Sequence, residues 1–301
     1  MFNGLHYNSI STYLKERFGC KVVKLSIDAG LTCPNRDGSK GFGGCTFCSE
    51  DGSGTFASDI KSQIGNLPQK WTSGKDQAVK YIAYFQSHTN TYAPAEKLRA
   101  MWDEALSCEG VVGLAVATRP DCLGPEILDL LSEFSKKTFL WVELGLQTSC
   151  EETAAAFNRC WKNADFEEAM YNLSARGIKC VIHLILGLPG EDKNTMISSA
   201  KYAAGFGPFG IKIHMLHLMK GTAMGEAYLR APFPVLSRDE YIKLVCDILE
   251  IMPQSVTVHR LTGDAPQESL IAPDWTRNKH AVLNGIQQEF AARGSFQGSA
   301  L

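Results

Sequence analysis

Long apolar runs and an excess of charge of one sign are both missing from this sequence. No stretch of about 18 uninterrupted apolar residues occurs in the 301 residues, so a membrane-spanning helix is not expected. Residues 1–7 contain no basic segment followed by an apolar run, so we expect no secretory signal and a cytoplasmic location. Thirty Lys and Arg residues face 32 Asp and Glu residues, which gives a net charge of −2. Composition therefore gives no argument for nucleic-acid binding, although a local basic patch is compatible with it.

A disulfide framework is also not expected, although the chain has 10 cysteines. Thiols of cytoplasmic proteins stay mostly reduced. Most of the cysteines are scattered singly, and we interpret them as small buried apolar side chains. The other three, Cys33, Cys45 and Cys48, are clustered in a glycine-rich segment. This cluster is the first candidate for chemistry.

Short apolar runs alternate with longer amphipathic segments from about residue 20 onwards. The apolar runs predict strands at Val22–Ile27, Tyr81–Phe85, Gly113–Thr118, Phe139–Leu144, Val181–Leu186 and Ile211–Leu216. The amphipathic segments predict helices at Pro94–Cys108, Gly124–Lys136, Asp165–Arg176 and Thr195–Ala204. This alternation indicates βαβ units and a parallel sheet, hence an α/β fold. Periodicity does not distinguish an open doubly wound sheet from a partial barrel.

The pattern changes after about Phe233. A helix is predicted at Asp239–Met252, a short strand at Ser255–Leu261 and a final helix at Trp275–Arg293. We therefore expect an N-terminal segment (residues 1–17), a core (18–232) and a small α/β C-terminal extension (233–301) that packs on the core.

Cys33, Cys45 and Cys48 directly follow the first predicted strand. Their segment therefore lies at the carboxyl edge of the sheet, where α/β enzymes place their chemistry. Cys45 and Cys48 form a CxxC pair, whose spacing lets two thiolates reach one metal centre. Structural zinc and electron-transfer [4Fe–4S] clusters normally take four protein ligands, whereas three cysteines leave one iron open. The alternatives are a zinc site completed by His6 or His88, and a CxxC redox pair with Cys33 incidental.

Five sequence words resemble one family in content and in order. They are DAGLTCPNRDGSKGFGGCTFC (28–48), ATRPDCL (117–123), VELGLQT (142–148), HLILGLPGE (183–191) and HMLHLMKGT (214–222). Together they resemble the YhcC-like radical S-adenosylmethionine (SAM) family, which is similar to the radical SAM domain of the elongator complex catalytic subunit. The common radical SAM spacing is CxxxCxxC, and this chain departs from it with eleven residues between Cys33 and Cys45.

The resemblance implies a partial (β/α)6 barrel of the TIM type with a [4Fe–4S] cluster on Cys33, Cys45 and Cys48. It implies that the open iron binds SAM, and that one-electron reduction produces a 5′-deoxyadenosyl radical that abstracts hydrogen from a substrate. A reductase or a flavodoxin- or ferredoxin-type protein would donate the electron.

The first two candidate SAM contacts are Gln86 and Asn90, which follow the second predicted strand. Family members often carry a Gly-Gly-Glu word there, and these two side-chain amides can supply the missing acceptors. The alternative is a polar turn. Arg119, at the end of the third strand, can hold a carboxylate or a phosphate in bidentate fashion. Asp121 beside it can instead be only a helix cap.

Four further candidate SAM contacts follow along the chain. Glu143 and Gln147 are polar groups of an apolar strand, and Glu143 would bind ribose hydroxyls or form a core ion pair. By resemblance Arg159 would pair with the SAM carboxylate. The family word continues there with Gly-His, but this chain has Cys160 and Trp161, so the role of that histidine does not transfer. Gly187 begins a turn that fits the adenine-contact motif.

The substrate is less determined than the reaction class. His214, His217 and Lys220 are candidates for the substrate side of the pocket, although a strand histidine is commonly a core residue. The elongator-like words suggest modification of a tRNA wobble uridine. Alternatives are a small-metabolite or protein substrate, a non-catalytic iron–sulfur, zinc or electron-transfer module, and an RNA-binding adaptor.

Overall fold

The computed structural model describes residues 2, 4–50, 52, 57–59, 62–63 and 79–301. Its strands are β1 (Lys21–Ile27), β2 (Val79–Phe85), β3 (Val111–Thr118), β4 (Phe139–Gln147), β5 (Lys179–Leu186), β6 (Gly210–Met215), β7 (Leu218–Met219), β8 (Thr257–Arg260) and β9 (Leu270–Ala272). Its helices are α1 (Ile10–Phe18), α2 (Ala95–Ser107), α3 (Pro125–Lys137), α4 (Glu151–Ala156), α5 (Asn163–Ala175), α6 (Lys193–Gly205), α7 (Ala223–Arg230), α8 (Arg238–Glu250) and α9 (Lys279–Arg293). No helix in the described ranges is long and apolar enough to cross a membrane.

One parallel sheet organises the described part of the chain. It has seven strands in the order β1-β2-β3-β4-β5-β6-β8, and each neighbouring pair is parallel. Helices follow the strands as in a βαβ architecture, and the curled sheet forms the partial barrel that the family resemblance predicted. Each of the six predicted core strands is present. A small antiparallel pair, β7 and β9, lies beside the main sheet.

The two faces of the sheet have different neighbours, because successive strand residues point to opposite sides. Leu144, Ile182 and Ile213 belong to the large apolar cluster that includes residues of the surrounding helices. Their neighbours Glu143, His183 and Lys212 point the other way and line a cavity inside the barrel. These strands are therefore mostly apolar in sequence, and the few polar residues on their inner face form part of the site.

The amino-terminal end of the barrel is closed by a separate apolar cluster. Trp141 and Val181 belong to it, together with Ile10 and Leu14 of α1. Tyr13 of α1 also packs edge-on against Phe209, with ring centroids 5.2 Å apart. Helix α1 thus closes the amino-terminal end of the barrel, and the site lies at the carboxyl ends of the strands.

The segment after residue 233 contributes to the main sheet as well as packing on it. Its strand β8 pairs in parallel with β6, with Gly210 opposite Thr257. The predicted helix at Trp275–Arg293 is divided in two, a 3-10 turn at Asp274–Arg277 and then α9. The reason is Asn278, whose side chain accepts a hydrogen bond of 3.0 Å from the backbone nitrogen of Ala281 and so begins a new helix.

Candidate active site

A cavity of about 750 Å³ occupies the carboxyl end of the barrel. Ends of the core strands and the loops that follow them line it. A volume of this size lies within the range of roughly 300–1,000 Å³ typical of small-molecule and cofactor sites. The cavity therefore lies where the sequence analysis placed the chemistry.

Cys33, Cys45 and Cys48 all line this cavity. Backbone hydrogen bonds shape their loop: the nitrogen of Arg36 donates to the Cys33 carbonyl at 2.8 Å, and that of Cys48 to the Cys45 carbonyl at 2.9 Å. Burial, together with the charges of Cys48 and Cys33, raises the pKa of the Cys45 thiol to about 12. Such a group of thiols is stabilised as thiolates by a positively charged metal centre. The donor set therefore fits an iron–sulfur cluster held by three cysteines.

The zinc alternative receives no geometric support. No group of three or more His, Cys, Asp or Glu side chains in the described ranges is arranged to hold a metal ion. The cysteines around a [4Fe–4S] cluster instead bind different iron atoms of a larger object. His6 stacks on Phe290 and contacts the Gln287 side chain at 2.8 Å. His88 lines the cavity, but it forms no metal-binding group of three or more such side chains with the residues that the structure describes.

Two asparagines that sequence reasoning missed tie down the cysteine loop. Asn158 donates from its side chain to the carbonyl of Gly44 at 2.8 Å, and Asn35 donates to the carbonyl of Asn158 at 2.7 Å. Asn158 has a φ of 64°, a conformation in which asparagine is enriched. Cys160 lies 2.7 Å from Asn35 Oδ1 and also lines the cavity. Asn158, which directly precedes the candidate Arg159, thus fixes the cysteine loop.

Arg119 connects the loop to the third strand. Its guanidinium makes a bidentate pair with Asp121, at 2.9 and 2.8 Å, and its Nη1 lies 3.5 Å from Cys33 Sγ. Lys40 of the cysteine loop donates to the same carboxylate at 2.7 Å. Burial raises the pKa of Asp121, but Arg119 and Lys40 outweigh it, so the pKa is lowered. Asp121 is therefore an ionised bridge between the loop and Arg119.

Glu143 is fully buried at the centre of a polar network. It accepts hydrogen bonds from Trp141 Nε1 at 2.9 Å and from Lys212, and His183 Nε2 lies 2.8 Å from it. Lys212 also donates to the Tyr84 hydroxyl at 2.8 Å. Burial opposes ionisation of Glu143, yet Lys212 and His183 hold its pKa well below the usual range. The core ion pair considered from the sequence is thus present, and it faces the cavity.

Burial lowers the pKa of two basic partners of Glu143. The pKa of Lys212 falls to about 7, although the adjacent Glu143 carboxylate acts in the opposite direction. Burial and the charge of Lys212 lower the pKa of His183 to about 4. His183 is therefore neutral at pH 7.

The structure brings four of the candidate SAM contacts to the cavity. Gln86, Arg119, Glu143 and Gln147 line it, and Gln86 accepts a hydrogen bond of 3.1 Å from Ser26. Gln147 ends β4 with a φ of 62°, beside an irregularity in the pairing of β4 with β5. Such irregularities re-aim side chains at the ends of strands.

The other three lie outside the lining formed by the described residues. The side chain of Asn90 is buried and donates to the carbonyls of Ser87 and Ala117, at 2.9 and 3.0 Å. Gly187 has a φ of 87°, and a β-carbon added to it would lie 3.3 Å from the Leu236 side chain. Their contacts with SAM stay predictions.

Arg159, the third of them, has all of its donors committed within the protein. They reach the backbone carbonyls of Leu146, Thr148 and Trp161 and the side chains of Glu151 and Asn163. An arginine has five N–H donors, so none is spare in this arrangement. Its pairing with the SAM carboxylate stays a prediction, and the geometry here is that of a structural brace.

The opposite wall of the cavity carries the substrate-side candidates. His214, His217 and Lys220 line it, as expected from the sequence. Arg260 and Lys212 also line it, and neither was singled out from the sequence. Their only sequence signal is a basic residue at an inward-facing position of an otherwise apolar strand.

Comparison with known proteins agrees with this geometry. The radical SAM superfamily model matches residues 33–203, and the radical SAM C-terminal domain model matches residues 208–292. YtqA of Bacillus subtilis (strain 168) is 46% identical, over 97% of this chain and 92% of that protein. YhcC of Escherichia coli (strain K12) is 35% identical, over 96% of this chain and 93% of that protein. The chain therefore belongs to the radical SAM superfamily, in the group that contains YhcC and YtqA.

More distant similarities lead to the elongator group. The tRNA uridine(34) acetyltransferase of Dehalococcoides mccartyi (strain CBDB1) is 25% identical, over 60% of this chain and 39% of that protein. The structure of Elp3 from Methanocaldococcus infernus superposes with a TM-score of 0.68 and 18% identity. That superposition covers 92% of this chain and 64% of the Elp3 chain, and it shows a shared fold.

Membership of this superfamily makes the protein a radical SAM enzyme, whose cofactors are a [4Fe–4S] cluster and SAM. The three cysteines in the cavity fit the cluster, and the polar lining beside them leaves room for SAM.

Proposed function

We propose that this enzyme reductively cleaves SAM at a cluster held by Cys33, Cys45 and Cys48, and modifies a tRNA wobble uridine. The observation that carries the first part is the convergence of three thiols from one loop on a cavity of about 750 Å³. The chemistry supplied by the bound cofactors is one-electron cleavage of SAM to a 5′-deoxyadenosyl radical. The protein's own residues hold the cofactors, orient the substrate and exclude water.

The residues next to the thiols support SAM binding in the same cavity. Arg119 is held by Asp121 beside Cys33, and its positive charge suits the carboxylate of SAM. Gln86 and Gln147 line the cavity with polar amides. We propose these three as SAM contacts, and the contacts of Asn90, Arg159 and Gly187 with SAM stay predictions from the family resemblance.

The tRNA part is supported by the distant relatives and by the chemistry of the lining. Relatives named for tRNA uridine 34 share part of their sequence with this chain. The cavity wall combines the basic Lys212 and Arg260 with the aromatic Phe47 and Trp161. Proteins that act on a nucleobase extrude it into a pocket, where it stacks on aromatic rings and is held by polar groups. We propose a cytoplasmic enzyme that receives its electron from a reductase or from a flavodoxin- or ferredoxin-type protein.

The cluster is tested by EPR of anaerobically reconstituted, dithionite-reduced protein with and without SAM. We expect a reduced [4Fe–4S] signal that changes when SAM is added and that is lost in Cys45→Ala. Cys108→Ala is the matched control, because Cys108 follows α2 and is not part of the cavity lining that the structure describes. A signal that ignores SAM, or a zinc-loaded protein, would contradict the proposal and favour a metal-binding module.

The substrate is tested with total tRNA from a strain that lacks this protein. Wild-type enzyme, reductant and SAM are added, and the digested nucleosides are analysed by mass spectrometry. A mass change confined to nucleosides of the wobble position supports the proposal. SAM cleavage without any change in tRNA would refute the tRNA part and direct attention to metabolites or proteins.

A further inference from the structure

His183 has one ring nitrogen fixed and the other directed to the cavity. Its Nε2 lies 2.8 Å from a carboxylate oxygen of Glu143, and the Glu143 side chain has no exposed surface. The His183 side chain is 18% exposed and is part of the cavity wall. Among the described residues Nδ1 has no hydrogen-bond partner, and it is not among the buried unsatisfied atoms. Nδ1 is therefore exposed to the cavity.

The charge of Glu143 decides which ring nitrogen of His183 carries the hydrogen. Because Lys212 and His183 keep the pKa of this carboxyl low, Glu143 is ionised and can only accept hydrogen bonds. The hydrogen between the two side chains therefore belongs to Nε2. Charges from β1 and β6 act on the ring as well as burial: Lys212 and Lys24 disfavour the imidazolium, and the Glu143 carboxylate opposes them. His214, whose ring centroid lies 5.6 Å from that of His183, has a pKa far below its usual value and carries no charge at pH 7.

A neutral ring with its hydrogen on Nε2 has a lone pair on Nδ1. The basic groups in this part of the lining have the opposite character. Lys212 and Arg260 can only donate, and the Tyr84 hydroxyl already accepts from Lys212. Nδ1 thus places an acceptor beside the basic side chains of Lys212 and Arg260, and the neutral ring of His214 nearby carries one further lone pair.

We propose that His183 is the residue that recognises an N–H or O–H group of the substrate, with Nδ1 as the hydrogen-bond acceptor and Glu143 as the positioning residue that holds the ring in this tautomer. This inference rests on the proposed function, since it concerns the substrate of the same cavity. The recognised group lies deep in the barrel, on the side of β5 and β6, and it is a donor such as a base imide, an amine or a hydroxyl. A substrate part that offers only acceptors there would leave Nδ1 unpaired.

The tautomer is tested first, on the protein without cofactors or substrate. Long-range ¹H–¹⁵N spectra of ¹⁵N-histidine protein distinguish the two neutral tautomers from the imidazolium. The His183 signals are assigned with His183→Gln, and His280→Gln serves as control because His280 is exposed on α9. We expect a neutral ring with its hydrogen on Nε2 at pH 7. A hydrogen on Nδ1, or an imidazolium at pH 7, would overturn the proposal.

Two substitutions then separate recognition from structure. In His183→Gln the amide lies near the position of Nε2, so the contact with Glu143 is kept and the Nδ1 acceptor is lost. In His183→Asn the amide oxygen can lie near Nδ1. With total tRNA as the probe, we expect His183→Gln to lower kcat/KM for the modified nucleoside roughly 10- to 100-fold, the loss for leaving a buried donor unpaired. His183→Asn should retain more of the activity, and both variants should keep the iron content and the EPR signal of the reduced cluster.

The outcomes distinguish failure of this inference from failure of the proposed function. Equal activity of wild type and His183→Gln, or a loss in His183→Asn as large as the loss in His183→Gln, would overturn the role of His183. If wild-type enzyme leaves tRNA unchanged, the proposed substrate is wrong. The tautomer spectra then still decide whether His183 presents an acceptor to the cavity.

Discussion

The buried ion pair between Glu143 and Lys212 allows a quantitative prediction about stability. The Lys212 side chain is 4% exposed and the Glu143 side chain is 0% exposed. Glu143→Gln keeps the shape of the side chain but removes the counter-charge of Lys212, so this buried lysine must either lose its proton or remain an unpaired charge. Removing one member of a buried pair destabilises a protein by about 3–5 kcal/mol. A domain of this size is stable by about 5–15 kcal/mol in total, so the variant should lose a large part of its free energy of unfolding.

Urea unfolding at pH 7, followed by circular dichroism, measures this change. The double variant Glu143→Gln/Lys212→Met removes both charges, so we expect its loss to be smaller than the sum of the two single losses by about 1–3 kcal/mol. Glu133→Gln is a control, because its pair with Arg99 lies on the surface, where ion pairs contribute little. A loss below about 1 kcal/mol for Glu143→Gln, or strictly additive losses, would refute the view that Lys212 depends on Glu143.

Three further predictions concern pH, the brace and the cysteine loop. Because the folded-state pKa of His183 is about 4 against an ordinary value of 6.5, the unfolded chain binds more protons between these values, so stability should fall as pH is lowered from about 6.5 to 4. Unfolding at pH 7 and pH 5 should show a smaller pH dependence in His183→Gln, and an unchanged dependence would contradict the neutral state. Arg159→Lys should lower the free energy of unfolding by about 2–4 kcal/mol, since backbone carbonyls lose their donors. The affinity of the reconstituted protein for SAM, measured by calorimetry, should be unchanged. Unchanged stability with a weaker affinity for SAM would instead support the SAM contact. In Gly41→Ala the new methyl group would lie 2.6 Å from Cys160 Sγ. We therefore expect the free energy of unfolding in urea to fall by about 1–3 kcal/mol, and the reconstituted protein to bind less iron per chain. Neither change should occur in Gly205→Ala, where the added methyl group would meet no other part of the chain within 4 Å.

The parts of the fold that depend on local pattern were predictable. Apolar runs such as Val181–Leu186 are typical of strands covered on both faces, and all six predicted core strands are present. The cysteine loop was predictable for the same reason, because its spacing and its place after β1 are properties of one segment. The break before α9 was not predicted, since the periodic pattern continues through it and only the cap formed by Asn278 ends the first turn.

The sequence by itself determined the strand and helix pattern, the three cysteines and, through the family words, the reaction class. Only the tertiary structure decided that β8 extends the sheet, and that Glu143, His183 and Lys212 meet inside the barrel. These three residues lie on different strands, and which of them become neighbours depends on sheet register and on the direction of each side chain. Arg159 is the opposite case. The family resemblance suggests that it binds SAM, whereas in the folded chain its guanidinium donates to acceptors of the protein itself.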